Sequence, residues 1–110
     1  MGAGKMRDVL RFERKASGKD RFGNPVDGWA LFLRVRGDVL ETLGKERLAA
    51  GRLEANATAT VRVRGSAKAR QLGAADRVFM RGAHWNIKGS APVGRDGAQI
   101  EFVCEKGGAV

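Results

Sequence analysis

Two side chains in this 110-residue sequence are natural candidates for nucleophilic or acid–base chemistry: its one histidine, His84, and its one cysteine, Cys104. They fall on separate strand-like segments. His84 precedes Trp85 and alternates away from the apolar positions, so it reads as a surface or barrel-end group. Cys104 follows Phe102 at period two and reads as a small buried apolar residue. No Cys/His spacing fits zinc. The 12 carboxylates are scattered, with no local D-x-D or E-x-x-H grouping. Gly2-Ala3-Gly4-Lys5 imitates the end of a phosphate loop, but the earlier glycine and the strand before it are missing. Met6 also stands where a Ser or Thr would reach magnesium. These residues predict a protein that is not an enzyme and carries no metal or cofactor.

The charge is more informative. There are 21 Lys and Arg against 12 Asp and Glu, a net charge of +9, which favours an anionic partner and most often nucleic acid. The excess is uneven. Residues 5–21 carry seven basic and three acidic side chains (+4), residues 62–81 six and one (+5), and residues 38–54 three and four (−1). The cations therefore sit on strand-like segments and a connector, not on the helix-like stretch. A basic helix for the major groove is missing. There is no Tyr, and the seven Phe and Trp mostly fall in apolar strand patterns, which leaves few rings for base stacking. Charge without a reading head points to phosphate-backbone contact, independent of sequence.

The elements that position these residues read as strands. In residues 76–105, Val78 and Met80, then Trp85 and Ile87, then Ile100, Phe102 and Cys104 alternate with polar neighbours. Turns are expected at Gly82-Ala83 and over residues 89–97. Residues 6–15 make a first strand, with Leu10, Phe12 and Arg14 on one face. Residues 16–28 make a loop in which Phe22 folds back on the barrel. Residues 29–39 place Trp29, Leu31, Leu33, Val35 and Val39 on one face, and Gly37 permits a bulge or bend. Residues 57–64 form a further strand, and residues 65–75 a connector. The reading is an all-β fold of about six strands, a small barrel or sandwich. A long loop with a short helix (residues 38–56) is inserted between the second and third strands, and a disordered tail covers residues 107–110. Its expected core is Trp29, Leu31, Leu33, Val78, Trp85, Ile87, Ile100 and Phe102. One domain spans residues 1–110. No apolar run approaches the roughly 18 residues of a membrane span, and the N-terminus lacks the apolar core of a signal peptide. A single cysteine excludes an internal disulfide and fits a reducing compartment or a particle assembled in one.

The order of these features resembles the phage head-tail joining family, also called head-tail adaptor or stopper proteins. The resemblance runs from about Gly4 to Glu105. It rests on Leu10-Arg11-Phe12-Glu13-Arg14, on Asp20-Arg21-Phe22-Gly23 leading to Trp29, and on Gly44-Lys45-Glu46. It continues through the strand from Thr58 to Arg64, Arg77-Val78, Gly82-Ala83-His84-Trp85-Asn86-Ile87, and Cys104-Glu105. The sequence departs from the family pattern at Arg34-Val35-Arg36-Gly37 and around Gly51-Arg52.

The resemblance implies a small β-barrel with a long loop, assembled as a six-fold or twelve-fold ring in the neck of a tailed virus. Its neighbours there would be portal and adaptor proteins on the head side, tail terminator or tube proteins on the tail side, and packaged double-stranded DNA. The Arg-, Ala- and Gly-rich composition suits a phage, prophage or gene transfer agent of a GC-rich bacterium, with the particle assembled in the bacterial cytoplasm. Lys68 and Arg70, then Arg62 and Arg64, are the residues expected to face the DNA channel. On a helix, Leu48 and Leu53 would lie about 140° apart and could not face one barrel together. Leu43, Arg47, Leu48, Arg52 and Leu53 are therefore expected at a subunit interface. The rival reading is a sequence-independent nucleic-acid-binding barrel acting outside any particle.

Overall fold

The first strand, β1 (Asp8–Ala16), buries Leu10 and Phe12 and turns Val9, Arg11 and Glu13 the other way, as its period-two pattern requires. The computed structural model describes residues 6–16, 21–23, 28–42 and 57–106. After β1 come β2 (Gly28–Thr42), β3 (Thr58–Arg64), β4 (Arg77–Met80), β5 (Ala83–Val93) and β6 (Gln99–Lys106). Every pairing is antiparallel, and the strands close into one barrel in the order β1-β2-β3-β6-β5-β4. The all-β reading holds, with the barrel rather than the sandwich. Closure removes the open edges on which such short strands would otherwise aggregate.

The interior is filled from all six strands. Val61 and Val63, Val78 and Met80, Trp85 and Ile87, and Ile100, Phe102 and Cys104 join Leu10 and Phe12 there, with Val35 and Leu33 of β2 packed against them. β1 and β6 lie on opposite walls, yet the rings of Phe12 and Phe102 meet across the axis at 5.2 Å between centroids. Each such side chain contributes about 1.5–3 kcal/mol by leaving water.

β2 is the strand that departs most from its sequence pattern. Phe12 stands opposite Leu33, but Glu13 stands opposite Leu31, so Phe32 is an extra residue in a β-bulge. Before the bulge, Trp29 and Leu31 therefore share the outward parity of Glu13 and Lys15. Trp29 is 36% and Leu31 57% exposed, which corrects their assignment to the core; Leu33 is half-buried. At Gly37 the strand changes partner, leaving β1 and pairing with β3 from Asp38 onward. A Cβ on Gly37 would stand 2.5 Å from the Arg62 carbonyl oxygen, so the crossing needs glycine. The strand runs on to Thr42, through residues that the sequence pattern assigns to the insertion. Of the loop and short helix expected over 38–56, residues 38–42 are strand; the remainder, with Leu43, Arg47, Leu48, Arg52 and Leu53, lies outside the described residues, as does the tail 107–110.

Two further boundaries move. The β4–β5 turn is Arg81-Gly82, both at positive φ (51° and 78°), a two-residue hairpin turn whose twist suits the strands. β5 continues through Gly89, Ser90, Ala91 and Pro92, which the sequence pattern makes a turn, with a register shift between Ile87 and Gly89. β4 accompanies β5 only as far as Asn86, so Pro92 lies where one side of the strand has no ladder partner to lose. Phe22 is 75% exposed and is not buried against the barrel.

Candidate nucleic-acid interface

The barrel has two ends. At one, β2 finishes, β3 begins and the Arg81-Gly82 turn closes over them; at the other lie the 65–76 connector and the 94–98 turn, joined by a Gly65 N–H to Ala98 carbonyl bond of 2.8 Å. Both ends and the walls carry cations, and these divide by whether a carboxylate meets them.

Arg81 donates from Nε and Nη2 to the two carboxylate oxygens of Asp8 at 3.2 and 2.9 Å, and from Nη1 to Glu41 at 3.1 Å. Asp8 first and then Glu41 hold the guanidinium charge and raise its pKa. Arg77 donates to Glu13 at 2.7 Å and stacks on the Trp29 ring at 4.2 Å, which is why this outward tryptophan still has a partner. Arg14 meets Asp76 at 3.2 Å, and Lys88 meets Glu105 at 3.3 Å. These cations have little charge left for a ligand.

The residues expected to face DNA divide the same way. Arg62 donates to Glu101 at 3.0 Å, its cross-strand partner on β6. Lys68 Nζ lies 3.4 Å from the Phe32 carbonyl oxygen and 5.2 Å from the Phe32 ring, and Arg70 Nη2 donates to the Gly97 carbonyl at 3.3 Å. Both are exposed, but both brace the connector against β2 and the 94–98 turn. In the same connector Ala69 and Leu72 are buried and join the core at that end of the barrel. Arg64 has no carboxylate partner among the described residues. With Arg36, Val35, Met6, Gly65 and Ser66 it lines a cleft of about 430 Å³, where β2 and β3 have parted.

The outer wall of β1 and β2 holds cations that the sequence pattern showed only as the polar face of a strand. Arg11 and Arg34 are direct cross-strand partners, and Val9 pairs with Arg36. Arg11, Arg34, Arg36 and the nearby Lys15 are exposed and meet no carboxylate among the described residues.

The two other reactive groups, His84 and Cys104, lie on different strands, one exposed and one buried. His84 is exposed, 3.6 Å from a Glu13 oxygen that Arg77 already binds, and its ring lies 4.8 Å from Phe79. Cys104 is fully buried, and burial pushes its thiol up to about 12, which suppresses the nucleophilic thiolate. Among the described residues no three His, Cys, Asp or Glu side chains come together as a metal site, and no helix is long and apolar enough to cross a membrane.

The chain is thus a small, closed, antiparallel β-barrel with a packed apolar interior and charged walls. The chain belongs to the phage head completion protein family, whose model matches residues 1–107. That is a family of structural phage proteins and not of enzymes. The solved structures that share the fold include these two. A solution structure of a protein from Shigella flexneri 2a is 20% identical, with a TM-score of 0.69 and 100% of each chain covered. A chain of a native gene transfer agent virion is 18% identical, with a TM-score of 0.60, covering 89% of this chain and 91% of the other. No curated protein matches the sequence.

Proposed function

We propose that this protein is a neck component of a tailed phage, prophage or gene transfer agent. In this reading it forms a ring that joins the DNA-filled head, through portal and adaptor proteins, to the tail, and helps to retain the packaged DNA. The observation that carries the proposal is the family match over residues 1–107. The likeness of fold to a chain of a gene transfer agent virion supports it. A rigid barrel suits a part that must transmit load without chemistry. The inserted stretch, with Leu43, Arg47, Leu48, Arg52 and Leu53, supplies contacts to a neighbouring subunit, and cations that no carboxylate meets contact DNA through its phosphates.

Size-exclusion chromatography with mass measurement tests the assembly step. Mixed with the portal–adaptor complex of the same particle, the protein should elute with it as a ring of defined stoichiometry. Elution as a free monomer at every concentration would contradict the proposal. The second reading, a nucleic-acid-binding barrel outside any particle, is favoured by the net charge of +9. It predicts DNA binding without any portal–adaptor association.

A further inference from the structure

We propose that the outer wall of β1 and β2, carrying Arg11, Arg34 and Arg36, is the surface that grips the phosphate backbone of duplex DNA, in place of the connector residues. The inference rests on the DNA-holding part of the proposed function. Arg11 and Arg34 stand directly opposite each other in the β1–β2 register, and both side chains are exposed. Like charges directly opposed across two strands destabilise a sheet. Several other cations of the barrel walls meet carboxylates: Arg62 with Glu101, Arg77 with Glu13, Arg81 with Asp8 and Glu41. No described carboxylate relieves the Arg11–Arg34 pair, so a polyanion from outside is the partner that would.

The spacing suits such a partner. Arg34 and Arg36 project from the same face about 6.8 Å apart along the strand, the scale of the step from one backbone phosphate to the next. Arg36 also lines the cleft shared with Arg64 and Ser66, which extends the positive surface across the parted β2–β3 seam. Lys68 and Arg70 are already engaged by the Phe32 and Gly97 carbonyls, and Arg62 is neutralised. Guanidinium groups on a rigid strand pair suit phosphate oxygens and carry no base-reading element, so the contact is independent of sequence.

Binding of the full-length protein to a random-sequence duplex, followed across salt concentrations, tests the wall. Replacing Arg11, Arg34 and Arg36 together by Gln should flatten the slope of log K against log salt by about 2.7, if each contacts one phosphate. A charge-matched control on the strands outside the wall, β3, β5 and β6, Arg62→Gln with Lys88→Gln and Lys106→Gln, should leave the slope nearly unchanged. Arg34→Glu supplies a check that does not depend on the triple variant folding. It should raise the melting temperature, by pairing with Arg11, and weaken DNA binding at the same time. Equal flattening by both triple variants, an unchanged slope in the Arg11, Arg34 and Arg36 variant, or no salt-dependent binding by the wild type would each overturn the wall. Particles assembled with that variant separate the two ideas. Heads and tails that still join while the slope is unchanged overturn the wall alone and leave the neck assignment standing.

Discussion

Arg14 and Asp76 are 62 positions apart in the chain and meet at 3.2 Å, Nε to Oδ1. Asp76 is 6% exposed and is the one buried charged side chain among the described residues. Its Oδ2 also accepts the Gly73 N–H at 2.9 Å, while Arg14 Nη2 donates to the Gln71 carbonyl at 2.7 Å. One carboxylate thus shapes the connector's return into β4, and one guanidinium ties the connector to β1. Asp76→Ala should cost about 2–4 kcal/mol, because it takes the carboxylate from a partly buried guanidinium and the acceptor from the Gly73 N–H. Asp76→Asn should fall between the two proteins. Chemical denaturation measures both, and a cost below about 0.5 kcal/mol, within the range of an ordinary surface change, would contradict the clamp.

The two tryptophans should behave oppositely. Trp85 is 1% exposed in the barrel interior, and Trp85→Ala should cost about 3–5 kcal/mol. Trp29 lies on the outer wall under Arg77, and Trp29→Ala should cost about 1 kcal/mol, the worth of a partly exposed cation–π contact. Equal losses in thermal or denaturant unfolding would mean that the β2 bulge is misplaced.

That bulge shows where the sequence is legible and where it is not. The last three strands can be read directly, because Val78 and Met80, Trp85 and Ile87, and Ile100, Phe102 and Cys104 each keep one parity. Trp29 and Leu31 cannot, because one extra residue at Phe32 reverses the face and leaves no mark in composition. Gly89 to Pro92 look like a turn, and their place in β5 depends on β4 ending early. The site is hidden for a related reason. The pattern shows Arg34 and Arg36 on one face, but only the strand register brings Arg11 opposite Arg34 and sets Glu101 against Arg62.

Gly37→Ala should destabilise the barrel by about 1–3 kcal/mol. The new Cβ would stand 2.5 Å from the Arg62 carbonyl oxygen, 2.7 Å from Leu10 Cδ1 and 3.0 Å from Val63 Cγ1. The first of these belongs to the backbone of a paired strand and cannot turn aside. A melting temperature equal to that of the wild type would show that β2 does not cross between partners there.

Cys104 makes the stability depend on alkaline pH. Burial raises its thiol from 9.0 to about 12, so the unfolded chain loses this proton first as pH rises. Stability from this group is complete below about pH 9 and declines toward pH 12, by about 1.4 kcal/mol per unit. Cys104→Ala should lower stability at neutral pH through lost packing but flatten the alkaline decline. In the folded protein at pH 8 the thiol should resist alkylating reagents, and rapid labelling without unfolding would contradict its burial.

As a proposed neck component, the protein should complete the junction between head and tail. Electron microscopy of particles made by a producer strain lacking its gene tests this most directly. Capsids should still assemble and tails should accumulate separately, with heads that are either filled but tailless or leaking DNA. Normally joined, infectious or transducing particles made without the protein would contradict it.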